Sequence, residues 1–214
     1  RDLHSFPTRR SSDLKDFSAE KLKMHLTSDE VNVIEILPGG VVTKKATTHI
    51  RLDENGEFVR NPEEDLVKVA VVERHQGTGN VACGFLKGYG IKEGAVALSV
   101  AHDSHNIIVV GVNDEEMEFA VNSLIEQEGG IVLVKDKKVI EQMPMPIAGL
   151  MSDQSGEWVD EKLTCIHEKA YTELGICGDV EPVMTLCFMS LAVIPEIKLT
   201  DMGLFDVTTF SFIP

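Results

Sequence analysis

Three short, almost purely apolar runs limit the folds open to this chain of 214 residues. They cover residues 66–72, 94–100 and 107–110, and polar or glycine-containing segments flank each of them. Apolar runs of about four to eight residues bounded by turn residues are typical of largely buried strands. The runs therefore predict three buried strands of a sheet.

Helical periodicity appears in two other segments. Residues 114–127 place apolar side chains at helical spacing, Asn113 and Glu116 form a capping pair ahead of them, and residues 157–174 carry a second stripe. Residues 131–142 predict a β-hairpin. The expected fold is α/β of the α+β type, with a mixed sheet and at least two amphipathic helices.

Residues 15–60 have the sequence pattern of β-structure. Residues 31–36 begin with alternating polarity, residues 41–43 and 47–50 are further strand candidates, and residues 53–56 have the composition of a hairpin turn. A charged connection at residues 61–65 follows, and we place a domain boundary there.

Composition excludes several classes of partner. The net charge of −15 and the pI of about 4.8 argue against binding to nucleic acid or to an anionic membrane, since both need clustered Lys and Arg. No apolar run reaches the roughly 18 residues of a membrane helix. Four cysteines without a C-x-x-C pair indicate reduced thiols and a cytoplasmic protein.

Residues 1–14 differ from the rest of the chain. They contain three of its six arginines and have neither helical nor strand periodicity. The stretch is typical of translated sequencing-adapter read-through at a broken gene end, and a disordered native arm is the alternative. On the first interpretation, the gene upstream has been truncated.

Five successive polar residues, 102–106, lie between the second and third apolar runs. Loops at strand ends are where rigid scaffolds place binding groups, and His102 and His105 can bind a metal, transfer a proton or bond a ligand. Their H-x-x-H spacing differs from the H-E-x-x-H of zinc proteases. The alternative is a hydrogen-bonded turn closed by Asp103 and Asn106.

A second polar cluster, residues 73–80, follows the first apolar run. Its Gly77-Thr78-Gly79 segment lets the backbone approach a ligand and can form an anion-binding nest. Arg74 and His75 belong to this cluster, and a structural ion pair between Glu73 and Arg74 is the alternative interpretation. Because both clusters follow apolar strands, we expect them to converge on one surface.

A third segment, residues 144–153, combines two prolines with a glycine and predicts a rigid turn. Ser152 or Asp153 is expected to cap the helix that follows. We favour a structural role for this segment over a functional one.

Taken together, these segments resemble the carboxy-terminal domain of the adenine deaminase family. The resemblance covers residues 15–214 in order, and the sequences that carry it are VAVVERH from residue 69, GTGN from residue 77, AHDSHNIIVVG from residue 101, PIAGLMS from residue 146 and LTDMGLFDV from residue 199. It implies an amidohydrolase that converts adenine and water to hypoxanthine and ammonia through a metal-activated hydroxide. It also implies two divalent metal ions, manganese or iron, in the intact enzyme.

The metal-binding (β/α)₈ barrel of such enzymes has no counterpart here, since no H-x-H motif occurs and a barrel needs about 250 residues. We therefore expect a fragment that is inactive alone and holds no metal. Residues 15–60 would be a remnant of the small β-domain that accompanies the barrel, and residues 61–214 the carboxy-terminal domain. The partners implied are adenine, the missing barrel and further copies in a homo-oligomer.

Within that domain, six residues are expected to face the barrel mouth close to the substrate, where they either close over adenine or hold the barrel loops that do. They are Arg74, His75, His102, Asp103, His105 and Asn106. The alternative function is an independent small-ligand or metal-binding domain that uses the cluster from His102 to Asn106.

Overall fold

An eight-stranded mixed sheet forms the centre of the molecule. The structure is a computed structural model that describes residue 14 and residues 16–213, so the arm predicted at residues 1–14 lies outside the described residues except for Leu14. The strands of the sheet are β1 (Glu30–Ile36), β2 (Thr43–His49), β5 (Leu66–Val72), β6 (Val81–Lys87), β7 (Ala95–Leu98), β8 (Ile107–Gly111), β9 (Gly130–Lys135) and β10 (Lys138–Pro144).

The sheet has the order β10-β9-β7-β8-β5-β6-β1-β2. Neighbouring strands are antiparallel except β1 and β6, which are parallel. The three apolar runs thus become β5, β7 and β8, which lie side by side in the middle of the sheet. The predicted α+β class and the hairpin of β9 and β10 are confirmed.

Helices cover both faces of the sheet, which explains why its central strands are apolar throughout. All seven residues of β5 are buried. Val69 and Val71 share a core with Ile166 of helix α2 (Gly156–Thr172), whereas Ala70 and Val72 face the other way and share a second core with helix α1 (Asp114–Glu126). A third helix, α3 (Pro182–Cys187), joins the α2 side.

Two small sheets complete the fold. The first consists of β3 (Arg51–Leu52) and β4 (Phe58–Val59), which form the hairpin predicted around residues 53–56. The second consists of β11 (Ile197–Thr200), β12 (Gly203–Asp206) and β13 (Ser211–Phe212).

The strands before residue 60 differ in part from expectation. The two candidates at residues 41–43 and 47–50 form one strand, β2, because its seven residues pair continuously with β1. Strands from both sides of residue 60 share the large sheet, since β1 pairs with β6. The domain boundary at residue 60 stays a prediction.

The connections that carry the polar clusters meet at one end of the sheet. Val72 pairs with both Ile107 and Val81, so β5 ends where β8 and β6 begin. In the same way β7 ends beside the start of β9, and β10 ends opposite Gly130. We call this end, with connections 73–80, 99–106 and 145–155, the loop end. Within the described residues, no helix has the length and apolarity required to cross a membrane.

Candidate functional site

Arg74 lies at the centre of the loop end and ties three connections together. It follows β5 directly and is 1% exposed. Its Nε donates to the carbonyl of His105, and its Nη2 donates to the carbonyl of Ala148 at 3.0 Å. Its backbone N–H bonds the side-chain oxygen of Asn106 at 3.4 Å. Burial lowers the pKa of Arg74 to about 10, so the guanidinium keeps its charge at neutral pH.

The 145–155 connection is shaped to receive that guanidinium. Gly149 has a φ of +73°, and a Cβ at this position would lie 2.9 Å from Nη1 of Arg74. The hydroxyl of Ser99 donates to the carbonyl of Gly149 and accepts the N–H of Gly130 at 2.8 Å. A glycine is therefore required here both for its backbone conformation and for the close approach of Arg74.

The histidines form an aromatic group beside Arg74. The ring of His102 lies 5.3 Å from the ring of His105 and 4.9 Å from that of Phe188, measured between centroids. Nε2 of His75 lies 2.8 Å from the carbonyl oxygen of Ser104. The cluster therefore extends beyond the 102–106 turn, because Phe188, which follows α3, and the 73–80 connection both contribute to it.

His105 combines an unusual backbone conformation with a partly buried ring. Its backbone has a φ of 54°, in the left-handed region, and its N–H bonds the carbonyl of Ala101 at 2.6 Å. Burial, followed by the charges of His102, Arg74 and His75, lowers the pKa of His105, so its ring is neutral at physiological pH. Its Nδ1 is buried and has no hydrogen-bond partner within the described part of the chain.

The predicted anion nest in connection 73–80 is already filled by the chain itself. The Glu73 carboxylate is buried and accepts the backbone N–H groups of His75, Gln76 and Thr78, together with the Thr78 hydroxyl. These bonds outweigh burial and lower the pKa of Glu73. Glu73 thus organises the connection and occupies the N–H groups that the nest interpretation assigned to a ligand.

The predicted convergence of the two polar clusters is confirmed. Arg74, His75, His105 and Asn106 are in direct contact, His102 stacks beside them, and Asp103 is exposed on the same turn.

Sequence reasoning missed the contributions of Glu73, Ala148 and Phe188. The prediction that Ser152 or Asp153 caps the following helix was wrong. Ser155 is the N-cap, because its side chain accepts the N–H of Trp158.

A resident metal ion does not fit the residues that the structure describes. Among residues 14 and 16–213, no group of three or more His, Cys, Asp and Glu side chains is arranged to hold one. At the loop end the His102 ring packs edge-on against His105 and against Phe188, and the Glu73 carboxylate accepts hydrogen bonds from backbone N–H groups. We therefore derive no step through a metal bound by these residues.

These features define an α+β domain with its polar loops gathered at one end of a buried sheet. Residues 40–211 match the family described as adenine deaminase C-terminal domain. The chain is 66% identical over 206 residues to adenine deaminase 2 of Desulfotalea psychrophila, and 50% identical over 203 residues to an adenine deaminase of Ligilactobacillus salivarius. The alignments cover 96% and 95% of the chain but 36% and 35% of those relatives.

The chain therefore belongs to the adenine deaminase C-terminal domain family. It spans about a third of the length of the curated relatives it matches.

Proposed function

We propose that the chain serves as the carboxy-terminal domain of an adenine deaminase, an enzyme that converts adenine and water to hypoxanthine and ammonia. The observation that carries the proposal is the match over residues 40–211, together with 66% identity to a protein named adenine deaminase 2. The two divalent metal ions of the intact enzyme, manganese or iron, would be held outside this chain. We place the enzyme in the cytoplasm, in purine salvage and adenine catabolism, and expect it to be a homo-oligomer.

The loop end is proposed to lie close to adenine in the intact enzyme. A neutral imidazole has one N–H donor and one acceptor nitrogen, which suits the donor and acceptor groups on the edge of a purine. His105 has such a ring, and its buried Nδ1 lacks a partner among the described residues. A buried polar atom without a partner calls for one. The rings of His102 and Phe188 add an aromatic surface of the kind on which a base stacks.

Arg74 is a positioning residue in this proposal. It contacts the carbonyl of His105 rather than the outer surface of the loop, and it is almost fully buried. It therefore sets the position of the loop without touching the substrate. Glu73 has the same role for connection 73–80, which carries His75.

The test requires an intact enzyme, made by replacing the matching third of the Desulfotalea psychrophila relative with this chain. His105→Ala is expected to lower kcat/KM for adenine about tenfold or more, equivalent to about 1.4 kcal/mol of lost transition-state binding. His102→Ala is expected to act in the same direction. His49→Ala, at an exposed histidine of the edge strand β2, is the control and should leave the kinetics unchanged.

Unchanged kcat and KM in both loop variants would refute the placement of the loop end beside the substrate. Failure of the unsubstituted intact enzyme to deaminate adenine would refute the activity itself. The 214-residue chain alone, assayed with added Mn²⁺ by loss of adenine absorbance, is expected to show no turnover, and metal-dependent turnover would move the catalytic site into this chain.

A further inference from the structure

Helix α3 connects the loop end with the opposite end of the sheet. The carbonyl of its last residue, Cys187, accepts the N–H of His102 at 2.8 Å, and the ring of Phe188, which follows, lies 4.9 Å from the His102 ring. The carbonyl of its first residue, Pro182, accepts a hydrogen bond from the hydroxyl of Tyr89 at 2.8 Å. Tyr89 follows β6, at the end of the sheet opposite the loop end. The position of His102 therefore depends on a helix that begins outside the loop end.

The start of α3 needs support from other parts of the chain. The helix has six residues, and a helix of this length is not stable without contacts from outside. Its N-cap is Glu181, whose side chain accepts the N–H of Met184. Ser, Thr, Asp and Asn are the preferred N-cap residues, because their short side chains reach the first turn. A glutamate at this position indicates a second role for the longer side chain.

The second carboxylate oxygen of Glu181 has such a role. Its Oε1 contacts Nε2 of His167 on α2, while Oε2 accepts the N–H of Met184. One carboxylate thus joins α2, which follows connection 145–155, to the start of α3, which leads to His102. The side chains of His167 and Glu181 are 34% and 39% exposed, and an ion pair with this exposure adds little to global stability. Its expected effect therefore lies in the relative placement of the two helices.

We infer that Glu181 is a positioning residue for the reaction, because it clamps α3 to α2 and so fixes His102 and Phe188 at the loop end. The inference rests on the proposed function, which places these two rings close to adenine. It extends that site to a side chain that does not touch the substrate. A misplacement of about 1 Å can lower a rate by up to about a hundredfold, so a residue outside the site can control turnover.

The NMR signal of the His102 ring tests the clamp in the 214-residue chain. The ring current of Phe188 acts on this signal, which is assigned by its loss in His102→Gln. Glu181→Ala removes both the cap and the clamp, whereas Glu181→Asp keeps a preferred cap residue whose side chain is too short to reach His167 as well. Both variants, and also His167→Ala, are expected to shift the His102 signal in the direction in which Phe188→Leu shifts it.

Asn113→Ala is the matched control for the loss of a cap. Asn113 caps α1, on the opposite face of the sheet, by accepting the N–H of Glu116 at 2.8 Å. Its replacement should lower the free energy of unfolding in urea but leave the His102 signal in place. An unchanged His102 signal in Glu181→Ala would overturn the inference. A shift in Glu181→Ala that is absent from Glu181→Asp would also overturn it, because the cap alone would then hold α3.

The intact enzyme described above tests whether Glu181 acts on the reaction through the two rings. Glu181→Ala and Glu181→Asp are each expected to lower kcat/KM for adenine about fivefold. In a background that already carries His102→Ala and Phe188→Leu, the same substitutions should have no further effect, because residues that act as a unit are not additive. A further fivefold loss in that background would overturn the inference, since Glu181 would then act on the fold as a whole.

These readouts separate the inference from the proposed function. Unchanged kinetics in both His102→Ala and His105→Ala would refute the placement of the loop end beside the substrate, while the His102 signal still decides whether Glu181 clamps α3. Normal kinetics in Glu181→Ala, combined with impaired kinetics in His102→Ala, would overturn the inference and leave the proposed function standing.

Discussion

The loop end and the contact between β2 and β11 each bury a cation, but they provide it with different numbers of acceptors. At the loop end, Arg74 is 1% exposed and bonds carbonyl groups of two separate connections. Between β2 and β11, Lys198 is fully buried and donates to the carbonyl of Val41 at 2.8 Å. No carboxylate among the described residues forms an ion pair with Lys198.

Burial lowers the pKa values of the two cations by a similar amount, but it does so from different ordinary values. Burial lowers the pKa of Lys198 from 10.5 to about 8, whereas that of Arg74 falls from 12.5 to about 10 and remains far above neutral pH. The guanidinium is thus a permanently charged tie between loops, while the ammonium is a costly buried group with few bonds. The comparison teaches that similar burial leaves an arginine charged but brings a lysine close to losing its charge, because the ordinary pKa of arginine is higher.

Replacement of Arg74 should have the largest effect. Arg74→Met leaves the carbonyls of His105 and Ala148 without their donor, and each bond to a charged group contributes about 1.5–3 kcal/mol. We expect the free energy of unfolding to fall by about 3 kcal/mol, measured by urea denaturation. Arg51→Met, at an exposed arginine of β3, is the control and should change it by less than about 0.5 kcal/mol. A similar loss of unfolding free energy in the two variants would show that Arg74 does not hold the connections of the loop end together.

Gly149→Ala should have the next largest effect, because it pushes a methyl group against the same guanidinium. We expect the free energy of unfolding to fall by about 2 kcal/mol, in part because alanine is strained at a positive φ and in part because its methyl group would contact Arg74. Gly77→Ala separates the two parts, since Gly77 also has a positive φ of +63° but has nothing within 4 Å of its built Cβ. An equal cost for both variants, measured in the same urea titration, would show that Arg74 does not press on the 145–155 connection.

Lys198→Met should have the smallest effect and the opposite sign. It removes a buried charge but leaves the Val41 carbonyl without a donor, and we expect a net gain of about 1 kcal/mol at pH 7. The exposed Lys44, on β2, provides the control, because Lys44→Met should give no gain. A loss of stability in Lys198→Met would mean that the buried ammonium stabilises the fold, as the guanidinium of Arg74 is expected to do.

The pH dependence sharpens the same comparison. Between pH 8 and 10.5 the unfolded chain keeps the proton of Lys198 while the folded chain releases it, so the contribution of Lys198 to the free energy of unfolding rises with pH across this window. The buried thiols of Cys83 and Cys187, whose pKa values are raised from 9.0 to about 12, contribute in the opposite direction above about pH 9 in both the parent chain and the variant. In Lys198→Met this rise should be absent, as measured by urea denaturation at a series of pH values. A rise of the same size in both proteins would show that a group other than Lys198 loses its proton in this window.

Local patterns in the sequence were sufficient to predict the elements around the loop end. Apolar runs identified β5, β7 and β8, and the spacing of Met117 and Leu124 identified α1. The convergence of the two polar clusters followed from their places after apolar strands. The Asn113 cap was also correct, because its side chain accepts the N–H of Glu116.

Long-range contacts could not be predicted in the same way. The bond from Arg74 to Ala148 joins residues 74 positions apart, and no local motif encodes it. Lys198 has the apolar neighbours Ile197 and Leu199, and strand alternation would place its side chain in solvent, although the packing of β11 against β2 buries it. Ser155 rather than Ser152 caps α2 because residues 147 and 151 form a bridge that keeps the earlier serine in the turn.

The Glu73 carboxylate has a consequence for how connection 73–80 responds to its surroundings. A tethered carboxylate within reach of its own N–H donors acts at a high effective concentration, which a free anion in solution can hardly match. Phosphate or sulfate in a buffer should therefore leave the connection as it is. The conformation of the loop that carries His75 is therefore set by the chain itself and does not depend on the anion concentration around it.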